Sequence, residues 1–152
     1  GMVRRYNAQA RMGESLPWAL LVHNALAGQV NVAGIVRGSA QMAHIGYWIA
    51  RDQAGHGYVP TAVAMAIDHC FTALGLHRVE INIRPENTAS LRVVEKLGMR
   101  SEGIRERYLH IDGDWRDHLS FAVTVDEVPD GMLARLRRDT PGQVRESSRS
   151  DP

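Results

Sequence analysis

The stretch from His44 to Gly75 limits the fold more than any other part of the chain. His44-Ile45-Gly46-Tyr47-Trp48-Ile49 is rich in strand formers. A glycine-bearing loop follows, Arg51-Asp52-Gln53-Ala54-Gly55-His56-Gly57. Val59, Val63, Ala66, Ile67, Cys70, Phe71 and Leu74 then recur at helical spacing and line one face, and Gly75 is placed to end the helix. A second unit of the same kind follows. Val79, Ile81 and Ile83 alternate with Glu80, Asn82 and Arg84, and Pro85 breaks the ladder. Asn87 is a good N-cap for a short stripe of Leu91, Val94 and Leu97, which Gly98 stops. A strand–helix–strand unit requires a crossover, so a mixed sheet with helices packed on it is expected.

Around this centre the pattern predicts hairpins. Residues 17–23 and 30–36 read as strands joined through 24–28, and residues 3–14 as a helix. Residues 104–111 and 115–125 read as long strands either side of the hairpin signal Asp112-Gly113, with Leu119, Phe121 and Val123 on one face. Residues 130–138 form a last short helix. A chain of 152 residues suits one core, so residues 1–138 are expected to form a single domain. Residues 139–152 hold almost nothing that can enter a core and read as a disordered tail.

The 18 Lys+Arg against 17 Asp+Glu give a net charge of +1, which argues against direct nucleic-acid binding. No apolar run approaches the roughly 20 residues of a membrane span, so no membrane partner is expected. The single cysteine, Cys70, and a start without an apolar core favour a reducing, cytoplasmic setting. Cys70 reads as a packing residue. The seven histidines lack the spacing of a helical zinc site, and one cysteine rules out cysteine-rich sites, so no metal is expected. Trp18, Trp48 and Trp115 read as core or crevice-wall residues.

Two helix starts carry the candidate chemistry. Glycines at 55 and 57 let backbone N–H groups turn toward a ligand, and a helix start offers unpaired donors with positive partial charge. Together they form a cradle for a pyrophosphate. Two glycines alone fit a tight strand-to-helix turn equally well. The dinucleotide fingerprint is excluded because Pro60 stands where its third glycine belongs, and no Lys-Ser/Thr pair follows to make a P-loop. Asn87 and Ser90 sit at the second helix start, and both starts are expected to face one crevice.

In this order and separation, four stretches resemble the GNAT acetyltransferase superfamily, most closely its RimJ/RimL branch of ribosomal-protein N-terminal acetyltransferases. They are Ile45-Gly46-Tyr47-Trp48-Ile49, Gly55-His56-Gly57-Tyr58-Val59, Arg84-Pro85-Glu86-Asn87-Thr88-Ala89-Ser90 with Leu97-Gly98-Met99, and Tyr108-Leu109-His110-Ile111-Asp112-Gly113-Asp114-Trp115-Arg116-Asp117. The resemblance implies an α/β (α+β) fold: a mixed, mostly antiparallel sheet with helices on both faces. By this likeness the chain is expected to lack the family's first strand and helix. The sheet edge thereby exposed is expected to be covered or to pair in a homodimer.

The resemblance also implies acetyl-CoA as co-substrate and an amine acceptor, foremost a protein N-terminus. A small amine such as an antibiotic or polyamine, or a non-catalytic acyl-CoA-binding role, are the alternatives. The family's loop reads Gln/Arg-x-x-Gly-x-Gly/Ala. With its central glycine at Gly57, Gly55 and His56 fall at variable positions, Ala54 replaces Gln or Arg, and Val59 replaces Gly or Ala. Ala54, Gly55, His56, Gly57, Tyr58 and Val59 are thus the cofactor loop, Ile49 bonds the pantetheine arm through its backbone, and Asn87 and Ser90 reach the pantetheine or acetyl region. Many members carry a tyrosine acid four residues before the closing glycine. Here that residue is Val94, which leaves Ser90 as the group to protonate the thiolate. Direct attack by a neutral amine also needs a base, for which Glu106 and His110 are the candidates, with His44 and His56 behind them.

Overall fold

In a computed structural model the described residues are 2–5 and 15–139, with side chains from residue 15 onward. The elements run β1 (Met2–Arg5), β2 (Ser15–Val22), β3 (Ala25–Val36), β4 (Met42–Ile49), α1 (Tyr58–Thr72), β5 (Arg78–Ile83), α2 (Thr88–Leu97), β6 (Arg100–Ile111), β7 (Asp114–Thr124) and α3 (Met132–Asp139). The strands form one sheet in the order β1-β2-β3-β4-β5-β7-β6. Every adjacent pair is antiparallel except β4–β5. That parallel pair is what the α1 crossover permits.

The expected mixed, mostly antiparallel sheet is therefore present, with four differences. Residues 2–5 are a strand rather than part of a helix, and residues 6–14 lie outside those described. Because β1 pairs with β2, the sheet ends at β1 rather than at β2, and the chain itself supplies the cover expected for the β2 edge. The β2–β3 connection is only His23-Asn24, both with positive φ (50° and 64°). That is the twist a two-residue hairpin turn requires, and Asn tolerates it. Finally, α1, α2 and α3 touch one another in every pairing, so the three described helices share one face of the sheet. The expected tail falls outside the described residues from 140 on.

That shared face holds the core. Val59, Val63, Ile67 and Cys70 of α1 and Val94 and Leu97 of α2 meet Val30, Val32, Ala43, Ile45, Val79 and Ile81 of the sheet. Strand alternation sends Glu80, Asn82, His118 and Ser120 to the opposite face. Local chemistry ends the helices where the sequence suggests. Gly98, at φ 64°, closes α2, with the Met99 amide on the Val94 carbonyl at 3.0 Å. The start of α3 is tied to α1 by Asp68, whose carboxylate accepts from the Met132 and Leu133 amides at 2.6 and 3.1 Å.

Candidate active site

The site begins where β4 and β5 part. Their pairing covers only Met42–His44 against Arg78–Glu80. Beyond it the strands diverge, and the carboxyl end of each feeds a helix start. The Ala50 amide bonds the Ala27 carbonyl of β3 at 2.6 Å. By the alternation of an antiparallel ladder, the amides of Ile49, Tyr47 and Ile45 point away from β3 and into the split.

At the open end lies a cleft of about 170 Å³ lined by Ile49, Ala54, Gly55, Gly57, Tyr58 and Val59 on one side, and by Ala89, Arg92, Val93 and Lys96 of α2 on the other. Gly55 and Gly57 hold φ values of 84° and 75°, and a Cβ on either would point into open space. The first carbonyl bond of α1 runs from the Thr61 amide to Gly57 at 3.3 Å. The Tyr58 and Val59 amides thus precede the ladder, and Pro60 has none to offer. Free amides beside two left-handed glycines are what a pyrophosphate cradle requires, and Arg92 and Lys96 add positive charge across the cleft. These two cations escaped the sequence reading because their α2 positions reach the loop only through the fold. A larger space of about 500 Å³ adjoins it, bounded by His56, Gly57, Pro60, Thr61, Lys96, Leu136 and Asp139. His56 stacks on Tyr58 there, with ring centroids 5.4 Å apart.

Deeper in the split is a crevice of about 190 Å³ that brings together Tyr47, Asn82, Arg84, Asn87, Ser90, Ile111 and His118. Asn87 Oδ1 accepts from the Ser90 amide at 3.2 Å, so the expected N-cap forms and fixes Ser90 at the crevice. The Tyr47 hydroxyl donates to the Ser90 carbonyl at 2.9 Å. Burial pushes the Tyr47 phenol well above its ordinary value, so it keeps its proton. Val94, only 1% exposed, belongs to the core, so nothing on α2 supplies a tyrosine at that position.

The two candidate bases are not brought to the crevice. Glu106 and His110 are exposed on β6. The cause is a bulge: Arg105 pairs with His118 and Leu109 with Arg116, so residues 106–108 oppose Asp117 alone. Arg107 takes a φ of 44° there, and its amide bonds Asp117 Oδ1 at 2.8 Å. His110 instead packs edge-on against Trp115 at 5.4 Å. His44 sits on the side opposite the described helices, 3.5 Å from Glu80 and 3.3 Å from Asn82 Nδ2. Burial lowers its basicity, against an opposing pull from Glu80. Trp48 and Trp115 are 49% and 56% exposed rather than core residues, whereas Trp18 is partly buried and meets His69 edge-on. Among the described residues no cluster of His, Cys, Asp and Glu is arranged to hold a metal, and no helix is long and apolar enough to cross a membrane.

A parallel strand pair that opens into a cleft, with free amides at a helix start beside it, is an arrangement suited to a CoA-dependent acyltransferase. Comparison with known proteins agrees: residues 2–100 match the family described as acetyltransferase (GNAT) domain, and the chain belongs to that family. The [ribosomal protein uS5]-alanine N-acetyltransferase of Escherichia coli is 35% identical over 100 residues, 66% of this chain and 52% of that one. Among solved structures, Mycobacterium smegmatis RimJ in complex with CoA-disulfide superposes with a TM-score of 0.81 at 43% identity, over 87% of this chain and 63% of that one. The ribosomal-protein-S5-alanine acetyltransferase of Vibrio fischeri gives 0.72 at 29% identity, over 78% and 66%. The chain spans about half the length of the curated relatives it matches.

Proposed function

We propose that the chain binds acetyl-CoA and transfers its acetyl group to a primary amine, with a protein N-terminus of the ribosomal-protein-alanine type as acceptor. The observation that carries this is the β4–β5 split, which leads from the Gly55–Gly57 cradle to a crevice holding Asn87 and Ser90. The likeness to RimJ with CoA-disulfide and to the uS5-alanine acetyltransferases supports both the cofactor and the acceptor class.

Acetyl-CoA supplies an activated acyl carbon. The chain's residues do the rest. The Tyr58 and Val59 amides, with Arg92 and Lys96, hold the diphosphate. The outward-facing amides of Ile49, Tyr47 and Ile45 bind the pantetheine arm and donate to the acyl oxygen as it gains charge. The Ser90 hydroxyl gives a proton to the departing thiolate. The amine attacks directly, with both substrates bound together and no acyl-enzyme.

The test is release of free thiol from acetyl-CoA in the presence of a peptide with N-terminal alanine, of spermidine, or of no amine. Thiol release that needs the peptide supports the reading. Release with spermidine alone assigns a small-amine acceptor, and binding of acetyl-CoA without any turnover reduces the chain to a binding module.

A further inference from the structure

We infer that His118 is the proton acceptor for the amine, a role that rests on the acetyl transfer proposed above. His118 is only 2% exposed, yet it lines the same crevice as Tyr47, Asn87 and Ser90. Its Nδ1 lies 2.9 Å from the Arg116 carbonyl. A carbonyl only accepts, so Nδ1 carries the hydrogen and the lone pair of the neutral ring is on Nε2. No buried side-chain nitrogen or oxygen among the described residues lacks a partner. With Nδ1 engaged by the carbonyl, Nε2 is the ring nitrogen left to serve the crevice that His118 lines.

The surroundings hold the ring in that pose. Tyr108 meets it edge-on at 5.8 Å. Arg105 donates to the Tyr108 hydroxyl at 3.0 Å, lies over its ring at 4.9 Å, and reaches Glu80 Oε2 at 3.1 Å. Glu80, 4% exposed, is held in turn by Arg78 at 2.9 Å. The bulge in β6 allows this, because it turns Tyr108 onto His118 while leaving Glu106 in solvent. The ionisable groups that face the ring or share its crevice are Tyr108 from β6, Tyr47 from β4 and Arg84 from the end of β5, the last paired with Glu86 and Asp112. Neither tyrosine nor arginine is a base near neutral pH, so among the crevice-lining side chains only the imidazole type can take the proton. His118 also projects from the face opposite the described helices, whereas the cradle and α2 occupy the other. Acceptor and CoA thereby reach the split from opposite sides.

The proton balance closes. Nε2 takes one proton from the ammonium and frees the lone pair. The N–C bond forms as the C–S bond breaks; the Ser90 hydroxyl gives its proton to the thiolate and takes the second amine proton in its place. The imidazolium then releases its proton to water.

Two measurements test this. Nitrogen-15 NMR of histidine-labelled wild-type protein should show His118 with hydrogen on Nδ1 and a bare Nε2; the opposite tautomer overturns the inference regardless of turnover. His118→Gln, and His118→Asn, whose amide can keep the bond to Arg116, should bind acetyl-CoA within about twofold of wild type by calorimetry. Their kcat should fall about 100-fold or more, the usual scale for a lost general base. Wild-type kcat in either variant overturns the inference. A wild-type protein that releases no thiol with any amine overturns the proposed function itself, and this role with it.

Discussion

The Tyr47 hydroxyl donates a 2.9 Å hydrogen bond to the Ser90 carbonyl, bridging β4 and the first turn of α2 across the mouth of the split. The bond spans the gap that opens where the β4–β5 pairing stops, so it sets the width of the crevice. Tyr47→Phe removes the donor and leaves a partly buried carbonyl without it. A loss of about 1 kcal/mol in urea unfolding is expected, together with a lower kcat, because Ser90 is no longer held from two sides.

Gly57→Ala tests the cradle. A side chain at φ 75° costs about 1–2 kcal/mol, and it would be added at a position that lines the cleft. Calorimetry should show acetyl-CoA bound about tenfold more weakly, the equivalent of roughly 1.4 kcal/mol. Unchanged affinity would exclude Gly57 from the cradle.

Arg92 and Lys96 face the loop across the cleft. Replacing both with Ala should weaken acetyl-CoA binding at low salt and flatten its dependence on ionic strength, since counter-charge attraction is screened. Affinities measured at two salt concentrations decide this. A double variant with the wild-type salt dependence would move the diphosphate elsewhere.

Stability should fall at alkaline pH. Burial pushes the Cys70 thiol up to about 12 and raises the Tyr47 phenol as well. Between the ordinary thiol value near 8.5–9 and pH 12, the unfolded chain loses a proton that the folded chain keeps. The stabilisation is complete below that window and is lost as pH rises through it. Cys70→Ala should make the alkaline limb shallower in denaturation measured against pH.

Acid acts in the opposite sense at Glu102. Hydrogen bonds from Arg78 and then Arg100 hold its carboxyl at about 2. The folded form prefers the carboxylate, so this contribution is present above the ordinary Glu value near 4.3 and is lost as pH falls toward 2. Glu102→Gln should flatten the acid limb in that window, and added salt should blunt the difference because the pair is partly exposed.

What the sequence by itself determined is what local chemistry controls. Gly55, Gly57 and Gly98 take left-handed backbone where turns and caps demand it, Asn87 caps α2, and Asp112-Gly113 turns the last hairpin. Each depends on neighbours within a few residues, so the left-handed glycines and both helix starts could be read in advance, and the mixed sheet followed from the strand–helix–strand order. Tertiary structure decided which side chains meet in the crevice. Tyr47 and Ser90 are 43 residues apart, and the placing of His118, rather than Glu106 or His110, depends on a β6 bulge that shifts its register against β7. Register is set by pairing between strands and not by either strand alone. The charges of Arg92 and Lys96 likewise became relevant only once α2 was laid beside the loop.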